Sequence, residues 1–208
     1  VLNKYKDLVF ETAEFMADLP QQSGDDGKYH LCPPVKPAQE LWNQNETWDP
    51  PFELNYWHFG LKTAVEWQKR LGLETNKKWE TVLNNLAPLP ESDGIYFPTS
   101  KHPDAYTNEE YKHDHPIVLG ILGYLPNSEL VDTAIMKATY EKVLSSWQWE
   151  TTWGWDYPMM AMCAARLNMP EKAIDALFMD LQKNTYLKNG HNYQDDRLRI
   201  YLPGNGGL

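Results

Sequence analysis

Pro51, Pro158 and Pro170 each stand at or near the head of an apolar-periodic run, and this placement constrains the fold more than any other feature of the sequence. Proline is tolerated in the first turn of an α-helix, where its missing N–H would have no intrahelical partner, but not in helix interiors or central strands. From Pro50-Pro51 the spacing of Leu54, Trp57, Leu61, Ala64, Val65 and Leu71 predicts a helix stopped at Gly72. A second runs from Pro158 to Leu167, and a third from Pro170 to about Lys183 with Ala173, Ile174, Leu177, Phe178 and Leu181 on its apolar side. The short join between these last two predicts an antiparallel pair.

The rest of the chain follows the same plan. Residues 3–18 place Tyr5, Leu8, Val9, Ala13, Phe15 and Met16 at helical spacing, with an end near Pro20. Further helices are expected from Asn76 to Ala87, from Pro116 to Leu122, and from Ser128 as N-cap through Val131, Ile135, Ala138 and Leu144. Gly94-Ile-Tyr-Phe97 reads as a short strand. Between helices lie long loops rich in aromatic and acidic residues, and the one that reaches about residue 50 holds Tyr29, Trp42 and Trp48, which argues for order. No repeat of fixed period emerges, so the expectation is an all-α fold, a ring of helical hairpins whose loops build a site, with at most a short strand pair.

At 208 residues the chain is long enough for one continuous core. It opens on Val1 and closes on Pro203-Gly-Asn-Gly-Gly-Leu208, which reads as a loop leading into a further helix, so the expectation is a piece of a longer protein. Nineteen basic residues are scattered among 29 acidic ones, which argues against nucleic acid and anionic membrane as partners. No apolar run is long enough to span a bilayer. Cys32 and Cys163 stand too far apart in sequence for a zinc spacing or a disulfide framework, and Cys163 reads as a small buried apolar residue. No cofactor is expected.

Chemistry concentrates in Trp147-Gln-Trp-Glu-Thr-Thr-Trp-Gly-Trp-Asp-Tyr-Pro158, four tryptophans and two carboxylates ahead of an apolar helix. Flat aromatic faces cover the apolar faces of sugars, and acids beside them can move protons. A second such cluster, Pro37-Ala-Gln-Glu-Leu-Trp42, lies upstream. Glycoside cleavage needs an acid to protonate the departing oxygen and a second carboxylate across the sugar; if that one activates water, the pair stands roughly 6.5–9.5 Å apart. Glu40, between prolines and Trp42, has a low-polarity setting that would keep it protonated as the acid, or it is a solvated loop residue. Glu150 and Asp156 compete as base, Asp156 also reading as an N-cap for the helix at Pro158. His113-Asp-His115 lacks a third ligand nearby, so the expectation is sugar contact and no metal. His191, in Asn189-Gly-His-Asn-Tyr-Gln194, reads equally as a turn or as part of a pocket.

An ordered series of short motifs resembles the catalytic domain of the six-hairpin, (α/α)6-barrel glycosidases, with the family 95 α-L-fucosidases nearest and the family 65 phosphorylases and hydrolases more distant. The first helix with Ala13-Glu-Phe15, then Gly27-Lys-Tyr-His30 and Pro37-Ala-Gln-Glu40, is similar to the family's helix, short strand and proline-flanked general acid, which places the acid on Glu40. The helix carrying Glu53-Leu-Asn-Tyr-Trp-His-Phe59 takes the place of the one that follows the acid. His113-Asp-His115 resembles the fucosidase His-x-His element and implies substrate contact. Glu150-Thr-Thr-Trp-Gly-Trp155 is similar to the segment bearing the catalytic Asp, which places the base on Glu150, here a Glu for the family's Asp. Trp155-Asp-Tyr-Pro158 looks like a Trp-Asp-x-Pro element that lies at the sugar site of trehalases. The family's Gln-Glu-Trp element before His113 is absent.

The resemblance implies an incomplete (α/α)6 toroid, with residues 1–208 forming the C-terminal portion of one catalytic domain truncated at both ends. It implies an inverting, exo-acting glycoside hydrolase of a plant or host glycan, with Glu40 and Glu150 catalytic. Asp156, His113, His115, Trp153, Trp155, His191 and Trp42 would bind the oligosaccharide substrate. The remainder of its own longer chain would complete the ring, the piece alone being inactive, and export to a bacterial periplasm or surface is implied. A phosphorylase on the same barrel and a glycan-binding helical domain without catalysis are the alternatives.

Overall fold

A computed structural model describes residues 1–206. Among the described residues eight α-helices dominate: α1 (Leu2–Asp18), α2 (Pro51–Arg70), α3 (Lys77–Asn84), α4 (Gly120–Gly123), α5 (Thr133–Ser146), α6 (Asp156–Arg166), α7 (Pro170–Leu177) and α8 (Leu202–Gly206). Six two-residue strands form three antiparallel pairs, more than the single pair signalled by the sequence. These are β1 (Gln21–Gln22) with β2 (Tyr29–His30), β3 (Glu91–Ser92) with β4 (Ile95–Tyr96), and β5 (Thr185–Tyr186) with β6 (Asn192–Tyr193). Each closes the base of a loop.

The main helix contacts are α6 with α7 and with α4, and α2 with α1 and α3, and two apolar clusters hold them. Ala13, Met16, Ala17, Leu61, Ala64, Val65, Trp79, Val82 and Leu86 join α1, α2 and α3. The larger cluster centres on Leu119, Ile121, Leu122, Met136, Tyr140, Met159, Met160 and Cys163, and Trp57 touches both. Cys163 is fully buried, the apolar role its sequence setting predicted. The α4–α6 approach depends on Gly123, where a Cβ would stand 2.5 Å from Met159 Cγ and 2.7 Å from its carbonyl oxygen. Beyond α4 the Arg166 guanidinium from the last turn of α6 donates to the carbonyls of Leu122, Gly123 and Leu125 and satisfies a helix end that has no partners of its own.

Several boundaries moved. Pro51 begins α2 as expected, and Gly72 follows its end at φ +69°, a conformation glycine adopts without strain. Asn76 caps α3, but the helix ends at Asn84, because Leu86 leaves it to bridge Tyr29. Ser128 does not cap α5. Asp132 does, with Oδ1 accepting the amides of Ala134 and Ile135, while the Ser128 hydroxyl donates to Asn55. The helix from Pro170 stops at Leu177 instead of Lys183, since the Asn184 side chain turns back to take the carbonyls of Leu177 and Met179. Phe178 is left exposed at 80%, and Leu8 and Phe15 of α1, expected inside, also face out. The tail already begins a helix at Leu202, and residues 207 and 208 lie outside those described.

Because Asp132 holds two amides of α5, Asp132→Ala is expected to lower stability by about 1 kcal/mol in chemical denaturation, while a Ser128→Ala change leaves α5 capped.

Candidate functional site

The two acid-and-aromatic stretches of the sequence meet at Asp114. Its carboxylate Oδ2 accepts the Glu40 amide at 2.8 Å and Oδ1 accepts the Trp153 indole N–H at 3.2 Å. Its own amide donates to the Thr151 hydroxyl at 3.0 Å, and its carbonyl accepts the Trp147 indole N–H at 2.9 Å. Asp114 takes φ +65°, a left-handed conformation uncommon outside glycine and tolerated best by Asn and Asp. The loop carrying Glu40 and the loop carrying Glu150 are thereby tied to one residue.

Segment 37–40 is held from three sides. The Ala38 amide donates to Glu53 Oε1 at 2.8 Å. Gln39, fully buried, donates through Nε2 to the carbonyls of Tyr111 and His113 and accepts the Trp42 indole N–H. Lys36 folds back onto the carbonyls of Glu40 and Trp42. At the foot of the loop Asp49 accepts the Leu31 amide at 2.9 Å and pairs with His30 Nδ1 at 2.8 Å.

His115 and Asp156 form the second part of the site. His115 Nδ1 lies 2.9 Å from Asp156 Oδ1, and Asp156 Oδ2 accepts the Trp153 amide at 2.8 Å. Asp156 is completely buried. Burial pushes its carboxyl above the usual range, opposed by the hydrogen bond from His115. Expected at the sugar site, with base and N-cap as its other readings, it is enclosed behind His115 with no surface of its own, opens the first turn of α6 and reaches back to Trp153, so it orients a histidine. The His115 ring lies 4.1 Å from Trp155 and 6.0 Å from Trp153, and Trp153 lies 5.4 Å from Tyr201. Tyr201 is pushed up to about 12 by burial, with the carboxylates of Asp156, Asp114 and Glu40 adding to the shift.

The expected residues divide accordingly. Glu40 is exposed, its amide fixed and its carboxyl at the surface; the low-polarity setting expected for it belongs to Glu53, whose carboxyl burial pushes up to about 7. Glu150 is exposed in a 3-10 turn (Trp149–Thr151) and joins the site through its neighbour Thr151. Trp153 and Trp155 are half-buried beside His115, whereas Trp147 and Trp149 spend their indole N–H groups on the carbonyls of Asp114 and Leu144. Trp42 corrects the expectation of sugar contact: it is 3% exposed, packed between His102 and Tyr111 at 4.8 and 4.7 Å, and supports the Glu40 loop from behind. His113 is half-buried and its carbonyl serves Gln39. With Asp114 left-handed, residues 113–115 are not a strand, so the two imidazoles are not paired by strand alternation. Among the described residues no group of three His, Cys, Asp or Glu side chains is placed to hold a metal.

His191 lies between β5 and β6, and its Nδ1 is buried without a partner. The neighbouring Asn192 and Gln194 dock this hairpin onto the tryptophan loop: Gln194 accepts the Gly154 amide and donates to the Thr152 carbonyl, both at 3.1 Å. Cavities of about 330 and 660 Å³ lie elsewhere, along α2 around His58 and Lys62, and include none of the site residues named above. Asp114, Tyr201 and Glu53 were not singled out from sequence. An Asp set between two histidines in a polar loop was the available signal for Asp114; Glu53 read only as an acid in a helix first turn, and Tyr201 carried no signal.

No family model matches the sequence, and no curated protein sequence matches it. A solved structure described as "Putative kojibiose phosphorylase from human microbiome" superimposes with a TM-score of 0.60 over 84% of this chain at 11% identity. The chain spans 31% of that protein's length. The likeness defines the fold: helical hairpins arranged as in part of an (α/α)6 toroid, a fold carried by a carbohydrate-processing enzyme.

A Cβ on Gly154 would stand 1.9 Å from Asn192 Oδ1. Gly154→Ala is therefore expected to push the tryptophan loop off the β5–β6 hairpin at a cost of about 1–3 kcal/mol, seen as a lower melting temperature and altered Trp153 fluorescence. A second expectation concerns pH. Glu53 rises from 4.5 unfolded to about 7 folded, so the folded chain binds the extra proton between those values. Its contribution is full below pH 4.5 and lost as pH rises through 7, a fall of roughly 3 kcal/mol. Denaturation of Glu53→Gln across pH 4–8 is expected to remove that part of the fall.

Proposed function

We propose that this chain carries part of the catalytic domain of a glycoside-cleaving enzyme, with Glu40 as the acid and Glu150 as the opposing base. The observation that carries the reading is the junction at Asp114, which ties the Glu40 amide, the Trp153 indole and the hydroxyl beside Glu150 to one residue. Half-buried Trp153 and Trp155 offer aromatic faces to the apolar side of a sugar, and His115, oriented by Asp156, offers a donor or acceptor to its hydroxyls. Asp156 has no surface to offer water, so the base is assigned to Glu150.

In this reading the Glu40 carboxyl gives its proton to the departing glycosidic oxygen. Glu150 takes a proton from a water attacking the anomeric carbon from the opposite face, and the configuration inverts. The ordered motifs favour a hydrolase resembling the α-L-fucosidases, acting at the end of a glycan, with further helical hairpins of the longer chain completing the ring. A phosphorylase is the second reading. It is favoured by the solved neighbour and by two lysines at the site, Lys36 against the Glu40 carbonyl and Lys183 with Nζ 5.6 Å from the centre of the Trp153 ring, which supply positive charge for an anion.

In the longer protein containing this chain, Glu40→Gln is expected to lower glycoside turnover by about 100-fold or more, with sugar affinity kept within about threefold. Unimpaired turnover would overturn the assignment. Release of a sugar 1-phosphate that requires inorganic phosphate would decide for the phosphorylase.

A further inference from the structure

Four hydrogen bonds fasten segment 37–40 to partners outside its own loop. The Gln39 side chain and the Glu40 amide are held by the stretch from Tyr111 to Asp114, itself part of a loop. The Ala38 amide is held by Glu53, at the third position of the 20-residue α2. That helix is anchored at Leu54 and Leu61, both fully buried, so Glu53 gives the segment its link to a rigid element. Pro37 has no amide to donate, which makes Ala38 the first residue of the segment that can be held through a backbone N–H.

The carboxyl is also an expensive way to hold one amide. Glu53 Oε2 is buried and has no partner. Buried polar atoms are as a rule satisfied, and an orphaned one is destabilising unless something else retains it. Burial raises the affinity of this carboxyl for a proton, which lessens that cost in the protonated form.

We propose that Glu53 is the positioning residue of the site: through the Ala38 amide it sets where the Glu40 carboxyl stands relative to Asp114 and the tryptophan loop. The proposal rests on the reading of Glu40 as the acid. Glu40 is two residues from the held amide, so a shift of Ala38 is passed to its carboxyl, and misplacement by about 1 Å is enough to cost on the order of 100-fold in rate.

Backbone amide exchange tests the hold without a substrate. In Glu53→Ala the amides of Ala38 and Glu40 are expected to exchange at least about tenfold faster, while those of Leu61 and Val143 are unchanged. Glu53→Gln, which keeps an acceptor, is expected to stay within about threefold of the native chain. Should Glu53→Ala fail to fold, Glu53→Met fills the same volume without an acceptor and carries the comparison. In the longer, active protein the acceptor-free variant is expected to lower kcat about 100-fold with KM within about threefold, and Glu53→Gln to restore it. Unchanged exchange at Ala38 and Glu40 in the acceptor-free variant, or a Glu53→Gln variant as fast as it, would overturn the proposal. Turnover surviving Glu40→Gln would instead remove the acid reading on which it rests, so the two failures are told apart.

Discussion

The site exists because one aspartate accepts a backbone conformation that costs it free energy. A left-handed residue other than glycine is disfavoured by roughly 1–2 kcal/mol, and Asp114 at φ +65° is stabilised against this by its bonds to Glu40, Trp153, Thr151 and Trp147. These partners come from segments more than thirty residues away on either side. Their mutual arrangement is set where the chain turns at residue 114. The same turn separates His113 from His115 and sends the second imidazole to Asp156.

Buried and exposed carboxyls divide the work. Asp49, Glu53 and Asp156 each sit behind a loop and hold a backbone amide from it: Leu31, Ala38 and Trp153 respectively. Burial raises all three, and for Asp49 and Asp156 a histidine neighbour pulls the other way. Glu40 and Glu150 sit at the surface of the loops so held. Rigid backing for exposed acids is the arrangement a reaction requiring fixed proton donors and acceptors would use.

The helices were legible because they rest on local physics. Pro51 and Pro170 each open a helix, Gly72 follows one, and Asn76 caps another, all read from residues within one turn of the boundary. Boundaries were misread where a distant side chain intervened. Ser128 had the chemistry of a cap, but its hydroxyl is drawn to Asn55 of α2 and Asp132 caps instead. The apolar run after Pro170 was long enough to continue, yet Asn184 returns to close the helix at Leu177. Aromatic residues could not be sorted from spacing at all: Trp42, Trp147 and Trp149 are committed to the frame, while Trp153 and Trp155 remain beside His115.

Helical periodicity, proline placement and the two acid-and-aromatic stretches are properties of neighbouring residues, and from them alone the sequence determined an all-α chain of hairpins with chemistry concentrated in its loops. Which acid is buried and which is free, which indole faces out, and which residue joins the loops were decided only by the tertiary structure. Burial and hydrogen-bond partners for Glu40, Glu53, Asp114 and Asp156 come from segments brought together by packing, and a carboxyl has no preferred role until those neighbours set its contact with water.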